Sequence, residues 1–169
     1  MESKAKFAGH ALHPMLVVFP LGLLITSFIF DVIVYFTHSE RMAYASFYMI
    51  AAGVIGGAVA ALPGIIDWIA IPSGTRAKKI GAVHGLGNVI VLVLFGVSWW
   101  LRRDVAQAPG ANAITFSFIA VLLGALTAWL GGELVERLGV GVDPGANLNA
   151  PNSLQHAAIE PETTKNHPL

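Results

Sequence analysis

The chain has 169 residues, 55% of them hydrophobic and 12% charged, and ten Lys and Arg balance ten Asp and Glu to a formal net charge of zero. A charge content about half that of a soluble domain argues for a membrane-embedded chain, and the lack of excess charge argues against nucleic acid or an acidic substrate as partner. The sequence contains no cysteine, which excludes disulfides, thiolate metal sites, iron–sulfur ligation and c-type haem attachment.

Four apolar segments follow in order. The first runs from Pro14 to Phe36, interrupted only by Thr26, Ser27 and Asp31. The second, Tyr44 to Ile71, is rich in Gly53, Gly56, Gly57, Ala58, Ala60 and Ala61, with Pro63 near its end. The third, Ala82 to Leu101, is rich in Val and Leu, and the fourth runs from Ala113 to Leu134. Each has about 20 residues or more, enough as a helix to cross a ~30 Å hydrocarbon core. In lipid a helix also satisfies its own backbone. The connectors Thr37–Ala43, Pro72–Gly81 and Arg102–Asn112 are short, so the expected fold is an all-α, up-down-up-down, four-helix integral membrane bundle over residues 1–142. Residues 143–169 lack a periodic apolar face and read as a disordered tail, which leaves His156 and His167 little weight. Ala43-Tyr44-Ala45 fits a signal-peptidase pattern, but the apolar run before it is too long for a cleaved leader.

Four crossings place both ends of the bundle on one side, here the terminal side. That side carries Lys4, Lys6, Arg76, Lys78, Lys79 and Arg137, with Lys165 in the distal tail; the other carries Arg41, Arg102 and Arg103. The bias puts both termini in the cytoplasm. Trp68 and Trp129 fall toward one interface and Trp99 and Trp100 toward the other, the pattern of an aromatic belt. Gly53, Gly56, Gly57 and Ala60, and the pair Gly81 and Gly85, would let helices approach closely.

Ionisable groups near a hydrocarbon core are costly and need partners or a function. His10 and His13 precede and open the first span, Asp67 closes the second, His84 opens the third with Asn88 one turn deeper, and Glu133 closes the fourth. All five gather at the terminal side. Three imidazoles and two carboxylates could ligate zinc, iron or another first-row ion. Two of the histidines could instead hold a b-type haem, with Gly9, Gly85, Gly131 and Gly132 leaving room for the macrocycle. Structural roles compete with these. Glu133 and Arg137 have the spacing of a helical ion pair. Asp67 could cap backbone amides or meet Arg76, Lys78 or Lys79, and an interfacial histidine such as His10 can be merely solvated. His13 is itself a candidate cap of the first helix, since Pro14 suits a first-turn position. At the other interface Asp31 has Arg102 and Arg103 as natural partners, and His38 reads as solvated. Soluble-enzyme motifs (P-loop, G-x-S-x-G, H-E-x-x-H, dinucleotide fingerprint) are absent.

Gly9-His10-Ala11-Leu12-His13-Pro14-Met15-Leu16-Val17-Val18-Phe19-Pro20-Leu21-Gly22-Leu23 resembles the opening signature of the DUF2231 family of four-span bacterial membrane proteins. Pro63-Gly64-Ile65-Ile66-Asp67-Trp68 resembles that family's second-span exit, and Gly131-Gly132-Glu133-Leu134 onward to Val142 its ending. The resemblance covers roughly residues 7 to 142 and implies a bacterial inner-membrane location. Some relatives carry the domain joined to Rieske-type domains, which leans toward redox work and a redox partner, or assembly with a second copy. Where the family's first motif often has a second histidine, this chain has Val18. The leading expectation is a ligand site of His10, His13 and His84, with Asp67 and Glu133 as ligands or orienting groups, for a metal ion or b-type haem. The competing one is a structural or accessory subunit without a cofactor. Proton or small-solute passage is a weaker third, because no span has an ionisable residue near its midpoint.

Overall fold

A computed structural model describes residues 1–154. A short antiparallel hairpin, β1 (Lys6–Phe7) and β2 (His10–Ala11), leads into α1 (Leu12–Thr37). Its turn passes through Ala8 at φ 49° and Gly9 at φ 83°. Then come α2 (Glu40–Ala70), α3 (Arg76–Leu101) and α4 (Ala111–Gly132), the last continuing into one π-helical turn, Glu133–Arg137. All four helices are long and apolar enough to cross a membrane. The protein is an all-α membrane four-helix bundle. Its first helix starts two residues before Pro14, capped by Ala11, so His13 lies inside the helix and His10 in the hairpin. Residues 155–169, with His156, Lys165 and His167, lie outside the described part.

The bundle is built from two hairpins, α1 with α2 and α3 with α4, each more tightly packed internally than against the other. Small residues set both kinds of seam. A Cβ on Gly53 would stand 2.6 Å from Leu24 of α1, and one on Gly57 2.5 Å from Leu92 of α3. Gly81 is pressed by Trp68, whereas nothing lies within 4 Å of a Cβ on Gly85, so Gly85 is not the packing residue its spacing implied. The core between the hairpins is Leu24, Ile50, Val91, Phe95 and Ala120. Trp68, Trp100 and Trp129 are exposed along the bundle surface, as a belt requires. Trp99 departs from that reading: it stacks on Phe47 against the core, with its indole N–H buried and without a hydrogen-bond partner among the described residues.

Polar groups close the core at the side away from the termini. Asp31 of α1 and Arg102, just beyond α3, are both 0% exposed. Two bonds join them, Nη1 to Oδ1 at 2.7 Å and Nη2 to Oδ2 at 2.9 Å. Ser46 of α2 donates to Asp31, Ser98 of α3 accepts from Arg102 at 2.8 Å, and Ser98 is 2.8 Å from Ser117 of α4. All four helices contribute. The sequence anticipates the Asp31–Arg102 pair but assigns Arg102 to the connector after the third span. Instead the guanidinium folds back along α3, its Nε donating to the Ser98 carbonyl, where the negative end of the helix dipole favours a cation.

Candidate functional site

Helices α1 and α3 are diagonal neighbours, yet His13 and His84 meet at the terminal end of the bundle, with ring centres 6.3 Å apart and planes at 86°. Each ring is held by the helix beside it. His13 Nδ1 is 2.8 Å from the Ala60 carbonyl of α2, and His84 Nδ1 is 2.8 Å from the Thr127 carbonyl of α4. A carbonyl only accepts, so each Nδ1 carries the proton and donates. That tautomer makes Nε2 the lone-pair nitrogen of both rings, the arrangement in which protein-bound metal ions commonly find histidine.

The local sequence explains why the rings can sit there. Gly64 of α2 faces His13, where a Cβ would come within 2.8 Å of Nδ1. Gly131 of α4 faces His84, where a Cβ would stand 3.0 Å from Cε1. Asn88 and Thr127 complete the His84 side: Thr127 Oγ1 donates to Asn88 Oδ1 at 3.0 Å, and Asn88 Nδ2 donates to the His84 carbonyl at 2.8 Å. The Asn88 amide nitrogen is 3.3 and 3.5 Å from the two ring nitrogens of His84. With Nδ1 protonated, only Nε2 can accept from this amide, a contact that a ligand at Nε2 would displace. Thr127 escapes sequence reading; it is one of three hydroxyl residues in the fourth apolar span, with Thr115 and Ser117.

The other three expected ligands have different partners. Asp67, 9% exposed, gathers the N-terminal segment: its carboxylate accepts from the Ser3 hydroxyl at 2.9 and 2.7 Å, the Lys4 amide at 2.6 Å and the Ala5 amide at 3.2 Å. Glu133 accepts from Arg76 of α3 at 2.6 Å rather than pairing with Arg137. The π-helical turn over Glu133–Arg137 explains the change, because its wider winding no longer stacks residue i+4 over residue i. His10 lies in β2, its Nε2 3.2 Å from Ser153 Oγ. Among the described residues no three or more His, Asp or Glu side chains are grouped to hold a metal ion. The set His10, His13, Asp67, His84 and Glu133 therefore resolves into one imidazole pair and three structural contacts. Of the glycines expected to leave room, Gly131 faces His84 and a Cβ on Gly9 would strike Ser153, while nothing lies within 4 Å of a Cβ on Gly85 or Gly132.

At the terminal side the first residue meets the segment that follows α4. The Met1 amino group donates to the Gly139 carbonyl and the Gly141 amide to the Met1 carbonyl, while Asp67 fixes the residues between. Replacing Asp67 by Ala leaves two amides and a hydroxyl without their acceptor, at about 1–3 kcal/mol for buried polar groups. Hydrogen exchange at Lys4 and Ala5 should rise sharply in Asp67→Ala while the helices keep their protection. Unchanged exchange at both would show that the carboxylate does not hold this segment.

A family description, predicted membrane protein (DUF2231), matches residues 9–144. No curated protein and no solved structure matches the chain.

Proposed function

The chain belongs to the DUF2231 family of predicted membrane proteins, and we propose that its bundle serves as a ligand-binding membrane protein whose site is the His13–His84 pair. One observation carries this reading: two imidazoles from diagonal helices lie 6.3 Å apart, each with Nδ1 committed to a backbone carbonyl. Two histidines brought to one place, each with Nε2 as its lone-pair nitrogen, are more than bundle packing needs. The ligand classes are a metal ion or the iron of a b-type haem, and Asn88 and Thr127 orient the His84 side. Asp67 and Glu133 act at a distance, closing the end of the bundle over the pair. A redox partner or a second copy of the chain enters this reading only if the bound group exchanges electrons.

The test is purification in detergent from cells supplied with iron, zinc and copper, followed by elemental analysis and an absorption spectrum for wild type and His84→Ala. A stoichiometric ion, or a Soret band, present in wild type and lost in the variant is the expected result. Wild-type protein empty of every metal and of haem would sink the proposal. It would leave the accessory-subunit reading, which draws on the buried Asp31–Arg102 pair as a device for fixing register.

The orientation proposed is both termini in the cytoplasm of a bacterial inner membrane. With Arg102 withdrawn into the bundle, the cations that face solvent outside reduce to Arg41 and Arg103, against Lys4, Lys6, Arg76, Lys78, Lys79 and Arg137 inside. The absence of cysteine makes a direct check easy. A membrane-impermeant thiol reagent applied to intact spheroplasts should label Gln107→Cys and spare Asn147→Cys; the reverse pattern would invert the topology.

A further inference from the structure

The pair supports a narrower statement, which rests on the ligand-site reading above. We infer that His13 and His84 bind a single monovalent copper ion, Cu(I), in line between their two Nε2 atoms.

Donor count comes first. Among the described residues no third His, Asp or Glu joins the pair, the chain has no thiolate, and the Ala60 and Thr127 carbonyls already accept from the rings. Zinc takes four ligands and the harder divalent ions take six or more; either would need several waters between closely packed helices. A monovalent d10 ion is satisfied by two nitrogens.

Distance points the same way. With each nitrogen about 2 Å from one ion, two imidazoles facing each other in line have ring centres roughly 6.4 Å apart, and at a tetrahedral angle only about 5 Å. The observed separation is 6.3 Å. The 86° between the planes is no obstacle, since in-line binding leaves each ring free to twist about the nitrogen–ion axis. A haem iron would give the same separation, but its macrocycle needs an open slot across the bundle. Two hollows of the bundle, one at Met1, Ile71 and Arg76 and one at Phe28, Tyr35 and Phe118, are lined by neither histidine.

Charge is the third argument. Two neutral imidazoles around Cu(I) leave one positive charge at this depth, whereas a divalent ion leaves two. Each such charge is costly in or near hydrocarbon. The carboxylates that could neutralise a second charge, Asp67 and Glu133, are engaged with Ser3 and the N-terminal amides and with Arg76.

The experiment uses the full-length chain, without a histidine tag, in detergent and under anaerobic conditions. The protein is offered Cu(I), Zn(II) and haem separately, against a cuprous chelator where copper is used, and bound metal is quantified together with the copper X-ray absorption edge. One copper per chain with the edge feature of linear two-nitrogen coordination is expected. His13→Gln and His84→Gln, checked for helicity and monodispersity, should each lose that equivalent, while His10→Ala, His38→Ala and His156→Ala keep it. Retention of Zn(II) or haem in place of Cu(I), or copper with a four-coordinate edge, would overturn the copper inference and leave the His13–His84 site standing. Copper that survives both glutamine substitutions would overturn it as adventitious. A protein that retains none of the three would overturn the ligand-site reading as well.

Discussion

Asp31→Ala should be the most destabilising single substitution in the chain, costing about 3–5 kcal/mol, the range for breaking a buried ion pair by removing one partner. The magnitude comes from what is left behind. Arg102 is 0% exposed and loses both carboxylate contacts, at 2.7 and 2.9 Å, keeping only serine hydroxyls and the Ser98 carbonyl around a full charge. Ser46 loses its acceptor as well. A buried guanidinium with only neutral partners must either stay at high cost or pull out toward the interface, and the latter opens the end of the bundle where all four helices are joined. The double variant Asp31→Leu/Arg102→Met removes charge from both sides and should recover most of the loss, since replacing a buried pair by apolar groups of similar volume is often neutral or stabilising. Reversible unfolding in mixed micelles measures both. A single variant within about 1 kcal/mol of wild type would mean that Arg102 is solvated in the membrane and that the pair contributes as little as a surface salt bridge.

What could be read from the sequence follows from the range of each interaction. The spans are legible because crossing a hydrocarbon core demands an uninterrupted apolar run, and that demand is local. Their pairing into an up-down bundle follows from short connectors. Lateral register is not local. That His13 meets His84 across the diagonal depends on Gly64 and Gly131 taking up the rings, and neither glycine differs in sequence from the others around it. Asp67 illustrates a second kind of limit. Capping of amides is one of its two expected structural roles, beside that of a ligand, and it does cap amides, but those of Lys4 and Ala5, more than sixty residues away and beyond any helical spacing rule. Arg102 shows a third. A residue just past a helix end can turn outward or inward, and the choice here is set by Ser46, Ser98 and Ser117, serines scattered over three spans. Three hydroxyls toward the same interface were the available signal.

The glycines that seat the histidines give the second large effect, one that separates the site from the scaffold. Gly131→Val places a branched side chain where even a Cβ would stand 3.0 Å from His84 Cε1, and Gly64→Val one where a Cβ would stand 2.8 Å from His13 Nδ1. The imidazole must swing away, giving up its 2.8 Å bond to the Thr127 or Ala60 carbonyl. Overpacking of this kind costs about 1–3 kcal/mol, which a four-span bundle can survive folded. The pair cannot survive as a pair, because its separation and its tautomers both depend on those carbonyls. Loss of a group that orients a metal-binding histidine typically lowers affinity about 10- to 100-fold, and displacement of the whole ring should do at least as much. Gly85→Val and Gly132→Val are the matched controls: each adds the same bulk where nothing lies within 4 Å of the new Cβ, so each should retain bound ion at wild-type affinity. If Gly64→Val and Gly131→Val behave like these controls in competition with a chelator, the imidazoles are packing residues and the ligand lies elsewhere. If all four glycine variants lose the ion together, the loss reports the bundle's integrity and not the geometry of the two rings.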